Sequence, residues 1–518
     1  MSKKIIVVGG GIAGLSVCYE LSKIKNYSIE LYEMKEHLGG LSKSNRYKDG
    51  IYDEHSWRGF NSNYKNLLDI MKNIKDGDHN LIKNLNTKNK LISSLNTYTP
   101  LLKSVTFLSV LKLIHFHLSC QLSGTKRVNN ILAYQKIMDR LSFLNKKSMY
   151  LILDTLLHIG PDPAIISVKS SINAARHFVT DEWYHLGKPT QEGLISPWEK
   201  HLSKNNVKIY KKHKLTKINF DNNAITNLVF NDNKVKKADY YVLALPPYAL
   251  NTLFFQTNIS IPTKIQLKKL DETGYHKEIS FRLFFKEKVN VGSNLSLPET
   301  DWGIVLIPIH EYWFKDTYLG KDIKSIISGT CVTGYQSSSK TNKNIFTSKL
   351  NQIKKEIKRQ LESNTELNTV LKKNNKGKEL KDFKYTIKLW KEWYNTPNGS
   401  NTNDVYWTNT YQTAKYRLDQ DIGIKNTFFC GVHTKTVTDI ATMESACESA
   451  KLACIQLLKK DNKKHNIYLY QYKKNIFLRA IHAVDDILYY LNAPNVFTVT
   501  VILVLITLLY KWKLKALL

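Results

Sequence analysis

At 518 residues the chain is too long for one simple core, and its 42% hydrophobic and 23% charged residues exclude a disordered protein. Six cysteines, Cys18, Cys120, Cys331, Cys430, Cys447 and Cys454, have neither metal-ligand nor disulfide-framework spacing, so a cysteine-built scaffold is excluded and a reducing compartment is expected. The net charge of +32 raises the question of nucleic acid, but the lysines are spread along the chain beside asparagines, as A/T-rich codons would place them, and that reading is disfavoured.

The first expected element is a strand. Ile5 to Val8 is a β-branched run of the kind that forms a buried parallel strand, and it is too short for a secretory signal. Gly9-Gly10-Gly11-Ile12-Ala13-Gly14 satisfies G-x-G-x-x-G, and Ala13 to Lys23 reads as the helix behind it. Gly9 permits a tight turn, Gly11 lets the backbone approach a pyrophosphate, and Gly14 lets helix and strand pack closely. The helix start at Ile12 and Ala13 receives the phosphate charge. A second strand, Ser28 to Glu33, ends on a carboxylate nineteen residues beyond Gly14. An acid there accepts hydrogen bonds from the adenosine ribose hydroxyls and disfavours a 2′-phosphate, hence NADP.

Next comes His37-Leu38-Gly39-Gly40-Leu41-Ser42-Lys43-Ser44. A glycine pair just after the ribose acid resembles the second fingerprint of the FAD-dependent amine oxidase and phytoene desaturase superfamily. The resemblance implies FAD as cofactor, with Gly39 and Gly40 passing close to its pyrophosphate. The arginines that usually flank the pair stand here as His37 and Leu41, while Ser44 matches the final hydroxyl position.

The same resemblance implies that the nucleotide domain returns twice. From Asn206 onward, short alternating runs broken at Asp221-Asn222-Asn223 and Asp232-Asn233 predict a small β-meander; the closing run Ala238 to Pro247 resembles the family's strand that leaves the nucleotide domain, and Leu215 would offer its backbone to the adenine. Thr427 to His433, followed by Ala441 to Ala446 and a helix through Leu457, resembles the family's C-terminal flavin motif. Gly431 and Met443 then belong to the cofactor site, and the family's aspartate for the ribityl chain is replaced by Val432. Cys447 and Cys454 fall at helical spacing in that helix and read as packing residues.

The remaining segments form the expected substrate half. Residues 60–190 read as largely helical, with apolar stretches at Leu101 to Leu118 and Leu141 to Leu157, and strands are expected at Glu278 to Phe285 and Trp302 to Pro308. Ser337 to Asn344 and Lys372 to Lys381 read as exposed loops. The stretch Asp53 to Leu68, with its Tyr64-Lys65-Asn66-Leu67, is closer to carotenoid and squalene-type desaturases than to monoamine oxidases. It makes His55, Trp57 and Arg58 candidates for the active-site wall, with core packing or structural anion binding as the alternative. Tyr406, Trp407 and Tyr411 are candidates for an aromatic wall near the C-terminal motif. No metal-ligand cluster or catalytic triad is evident, and the isoalloxazine itself would accept the hydride.

Val496 to Tyr510 is fifteen residues without charge, followed by Lys511, Trp512, Lys513 and Lys515. At about 22 Å it falls short of the ~30 Å hydrocarbon core, and adding Ala493 and Pro494 with snorkelling lysines brings it to the lower limit for a membrane anchor. Lysines nearby favour anionic headgroups. The expected fold is therefore α/β: a Rossmann-like FAD-binding domain (1–60, 190–250 and 421–460) with an interleaved α+β substrate domain (61–189 and 251–420). A basic linker or helix (461–494) and a C-terminal hydrophobic helix (495–511) complete it. The expected function is FAD-dependent hydride removal from a hydrophobic, isoprenoid or lipid-like small molecule by a membrane-associated enzyme. Amine or polyamine oxidation is the enzymatic alternative, and a non-catalytic flavin-fold binding protein the alternative from another class.

Overall fold

The computed structural model describes residues 2–56, 58–86, 106–144, 165–178, 182–272 and 274–515. Five parallel strands from three separated parts of the chain lie in the order Lys208–Tyr210, Tyr27–Tyr32, Lys3–Val8, Tyr240–Leu243, Thr427–Phe429. Side chains alternate across a strand, and here both faces are apolar. Ile5 and Val7 enter one core with helices Ile12–Ser22 and Met443–Lys460, whereas Ile6 and Val8 enter a second beneath the meander and helix Pro247–Phe255. All six cysteines are free and buried, and Cys18, Cys447 and Cys454 pack together in the first of these cores.

The meander is smaller than its sequence suggests. It consists of Leu215–Asp221, Ala224–Phe230 and Val235–Lys236, with Asn222, Asn223 and Asn233 at positive φ in its turns. The run before it, Lys208–Tyr210, joins the parallel sheet instead, and the closing run lies in that sheet as Tyr240–Leu243. Tyr241, Val242 and Leu243 are buried on both faces, which a two-sided sheet interior accommodates and a surface meander does not.

A second, antiparallel sheet runs Leu295–Leu297, Ile304–Ile307, Ser325–Cys331, Ile279–Phe285, Tyr385–Leu389. Its inner face is closed by helix Leu350–Glu362, whose Ile353, Ile357 and Leu361 form one buried stripe. The expected loop at Lys372 to Lys381 begins inside a helix, Thr365–Asn374. The Asn364 side chain caps that helix by accepting from Leu367 N at 2.8 Å, and the burial of Leu367 and Leu371 outweighs the lysines. Ser337 to Asn344 lies largely exposed, although the buried Ser338 donates to Glu356 at 2.6 Å.

Helices Lys65–Asn73, Phe107–Leu122, Thr125–Asn130 and Val168–Phe178 pack into the core that holds Ile5 and Val7. Most of Leu141 to Leu157 lies outside the described residues. At the C-terminus helix Ile476–Tyr490 precedes a twenty-residue helix, Val496–Lys515. Buried Asp485 joins them to the body by accepting from Gly124 N (2.7 Å), Arg127 Nε (3.0 Å) and Val496 N (2.8 Å). The last helix extends to Lys515, past the lysines, rather than back to Ala493 and Pro494. Twenty residues at 1.5 Å span about 30 Å.

Candidate functional site: a dinucleotide cleft between two glycine loops

The first loop is built by two close approaches. Gly9 has a φ of +105°, and a Cβ on Gly14 would stand 1.9 Å from the Gly9 carbonyl oxygen, so the helix meets the strand with no room for a side chain. The helix that follows has no side-chain cap and no acid in its first turn, which leaves its first amides and its positive dipole end to an anion. Glu33 is buried at the end of its strand, where one carboxylate oxygen accepts from Gly10 N at 2.7 Å and the other from Lys35 N at 2.8 Å. Leu215 lies two residues beyond His213, whose amide donates to the Glu33 carbonyl at 2.9 Å. It therefore lies near the Glu33 end of the loop.

The second loop lies on the first. Gly39 N donates to Gly10 O at 2.8 Å, and a Cβ on Gly40 (φ +58°) would come within 3.1 Å of Gly11 Cα. The missing arginine at Leu41 has a counterpart. Arg58 is half-buried, and its Nη2 donates to the Leu41 carbonyl, bringing a guanidinium to the loop from a neighbouring segment. His55 is buried, and burial pushes its imidazole down to about 3, so it is neutral. Its ring lies 6.2 Å from Trp390, and its carbonyl accepts from Ser280 Oγ. Trp57 lies outside the described residues. Ser44 Oγ accepts from Gln191 N at 2.7 Å and so pins the loop to the segment returning toward the sheet. Lys43, buried beside Asp404 and Glu392, is pushed down to about 8 by burial.

Beside Arg58 lies a small recess, open in part to solvent. Glu54, Arg58, Tyr52, Tyr312 and Trp313 are among its walls. Burial pushes Glu54 up to about 7, against the pull of Arg58 and of the Thr190 hydroxyl that donates to it.

At the C-terminal motif Gly431 N donates to Ser449 Oγ at 2.9 Å. Met443 opens the last sheet-covering helix, capped by Thr442 Oγ1 accepting from Ser445 N at 3.2 Å. Val432 offers no acid, but its carbonyl accepts from Arg417 Nη2 at 3.1 Å. The same buried guanidinium donates to Thr434 O and pairs with buried Asp439, and burial pulls it down to about 9. Beside Gly431, His433 is buried and neutral, lowered to about 3 by burial, and its Nε2 has no hydrogen-bond partner among the described residues. Trp407 stands 6.3 Å from that ring, its own indole N–H donating to Leu270 O at 3.2 Å. Tyr411 instead lies under Lys136, 5.1 Å from its ammonium, and so is not part of the same wall.

One clamp was not anticipated. Glu444, in the first turn of helix Met443–Lys460, accepts from Asn66 N (2.9 Å), Leu67 N (2.9 Å) and Asn66 Nδ2 (2.8 Å). It thereby caps helix Lys65–Asn73 from outside. The Tyr-x-Asn-Leu stretch thus joins the C-terminal motif to the substrate side. Arg417, Asp439 and Glu444 carried no local signal in the sequence, since their partners are remote in the chain: backbone for Arg417 and Glu444, and the side chains of Arg417, Asn409 and Asn173 for Asp439.

An uncapped helix start at two contacting glycine loops, with a buried acid at the strand end and a second helix start across the sheet, has the backbone donors and the acid that FAD requires. It defines a flavin-dependent oxidoreductase. Comparison with known proteins agrees. Residues 7–74 match the NAD(P)-binding Rossmann-like domain and residues 164–458 match the flavin containing amine oxidoreductase model, so the chain belongs to the flavin containing amine oxidoreductase family. It is 23% identical over 299 residues to the 4,4'-diaponeurosporene oxygenase of Staphylococcus aureus, over 47% of this chain and 55% of that one, and thus spans about half the length of that relative. Among solved structures it shares its fold with an oxidoreductase from Methanosarcina mazei (TM-score 0.55, 15% identity, covering 88% of this chain and 100% of that one). The same holds for a protein from Exiguobacterium sp. provisionally assigned as a protoporphyrinogen oxidase (TM-score 0.54, 14%, 89% and 100%).

Proposed function

We propose that the protein removes hydride from a lipophilic, isoprenoid-like substrate while tethered to a membrane by its last helix. The observation that carries this reading is Val496–Lys515, which among the described residues is the one helix long and apolar enough to cross a membrane, and which is nearly all exposed. The curated relative named for diaponeurosporene supports the substrate class. In this reading the nucleotide domain comprises 1–60, 190–250 and 421–460, with the substrate half interleaved.

Gly9, Gly11, Ile12, Ala13 and Gly14 hold the pyrophosphate, Glu33 the ribose, and Leu215 the adenine edge. Gly39, Gly40 and Leu41, held by Arg58, close over the dinucleotide. Gly431, Met443 and the free Nε2 of His433 face the flavin end, where His433 takes over from the acid replaced by Val432. FAD supplies the hydride acceptor when bound. Neutral His55 and Arg58 line the approach to it.

Amine oxidation is the second reading: the recess offers a cation the aromatic walls of Tyr52, Tyr312 and Trp313 beside Glu54, with Arg58 and Lys188 in the same walls opposing it. Anaerobic mixing separates the two. Bleaching of the flavin band by an acyclic isoprenoid in detergent, with amines inert, supports the proposal; bleaching by amines alone overturns it.

A further inference from the structure

Three helices that touch one another leave apolar faces uncovered. The tail helix begins against helix Phe107–Leu122, where Phe497 lies 5.4 Å from the His115 ring, and helix Ile476–Tyr490 packs on both. On the first of these helices Phe107 (79% exposed), Leu111, Ile114 and Leu118 recur at helical spacing on one exposed stripe. On the second, Phe477 (79% exposed), Val484, Ile487 and Leu491 do the same. The inward face of helix Ile476–Tyr490 is polar: His482 Nε2 contacts Gln121 O at 2.9 Å, and Asp485 holds Arg127. Helix Phe107–Leu122 turns Leu113, Phe116 and Cys120 to the core and is apolar on its exposed stripe as well, so neither helix has the polar outer face of a water-facing surface.

We infer that helices Phe107–Leu122 and Ile476–Tyr490 lie embedded in the bilayer surface beside the tail helix, so that the body rests on the membrane rather than hanging from a tether. The inference rests on the reading of Val496–Lys515 as an anchor. The bilayer is the occupant because both stripes are continuous with a helix whose length matches the hydrocarbon core. Lys126 lies over the Tyr490 ring at 6.0 Å, a basic and aromatic pairing suited to the headgroup region, and a chain of net charge +32 favours anionic lipid. The docked face communicates with the site. Arg176 of helix Val168–Phe178 donates to Gln121 O at 3.1 Å, and Asn173 of the same helix reaches Asp439, which anchors the loop after Gly431.

The test uses the full chain. All native cysteines are buried, so single surface cysteines take an environment-sensitive dye: Leu111→Cys, Phe477→Cys, Leu505→Cys and, in an exposed loop, Thr341→Cys. Each labelled protein is bound to vesicles of phosphatidylcholine with a minority of phosphatidylserine. The expected result is blue-shifted emission and protection from an aqueous quencher at 111, 477 and 505, with 341 fully quenched. Quenching at 111 and 477 with protection at 505 overturns the docked face and leaves the anchor standing. Quenching at all four overturns the anchor and the inference with it. Protection at 111 and 477 that is equal without vesicles and lost on dilution would show a second copy on the face and overturn the bilayer as its occupant.

Discussion

Two glycines three residues apart should respond in opposite ways to the same added methyl group. At Gly14 a Cβ would stand 1.9 Å from the Gly9 carbonyl oxygen, whereas ordinary contact begins near 3.4 Å. The helix must retreat from the strand by more than an ångström, in the best-packed part of the molecule. Overpacking of this kind costs about 3 kcal/mol or more, so Gly14→Ala lowers the melting temperature of cofactor-free protein. At Gly11 the backbone is ordinary (φ −76°), and a Cβ would meet only Gly40 Cα, at 3.8 Å. A helix N-cap loses less than about 1 kcal/mol on going from glycine to alanine, part of which is returned through the unfolded chain. Gly11→Ala therefore melts within a few degrees of the parent. Its methyl group points into the space assigned to the pyrophosphate, and FAD affinity falls at least ~tenfold, or about 1.4 kcal/mol. Thermal melts of stripped protein and FAD titration by flavin fluorescence measure the two effects separately. Unchanged FAD affinity in a stable Gly11→Ala protein would refute the assignment of the loop.

Other substitutions test the remaining parts of the site. Glu54 holds its proton more tightly folded (about 7) than unfolded (4.5), so stability falls as pH rises between those values, by about 3 kcal/mol for a fully buried group. Glu54→Gln should flatten that part of the stability curve, and an identical pH slope in both proteins would contradict the reasoning. Arg58→Leu removes the guanidinium from the Leu41 carbonyl and should weaken FAD binding in titration, with Arg58→Lys intermediate; parent-like affinity in both variants would remove Arg58 from the site. Glu444→Ala orphans two amides at the start of helix Lys65–Asn73 and should lower stability by about 2–4 kcal/mol in denaturant titration. A loss below half a kcal/mol would mean that water replaces the clamp.

The parts of the fold written locally were the most legible. Ile5 to Val8, the glycines after them and Glu33 each act within a few residues of one another, so their spacing alone carried the strand, turn and helix. The meander was overextended at Asn206 to Tyr210 because period-two alternation does not distinguish a surface strand from an edge strand of the parallel sheet; Lys208–Tyr210 shows its place only when its neighbour Tyr27–Tyr32 is known. The replacement of the loop arginine by Arg58, and of the ribityl acid by the surroundings of Gly431, was hidden for a related reason. Arg58 acts seventeen residues away and Arg417 fifteen, on carbonyls that any sequence would supply. The Tyr-x-Asn-Leu stretch was visible as a pattern, but its partner Glu444, 378 residues on, was not.

The most direct test of the central claim is the visible spectrum of the full chain purified in mild detergent, with its cofactor released and identified. An oxidised-flavin spectrum that yields FAD in near-equimolar amount is the predicted result. A colourless protein that gains neither colour nor thermal stability on addition of FAD would contradict it.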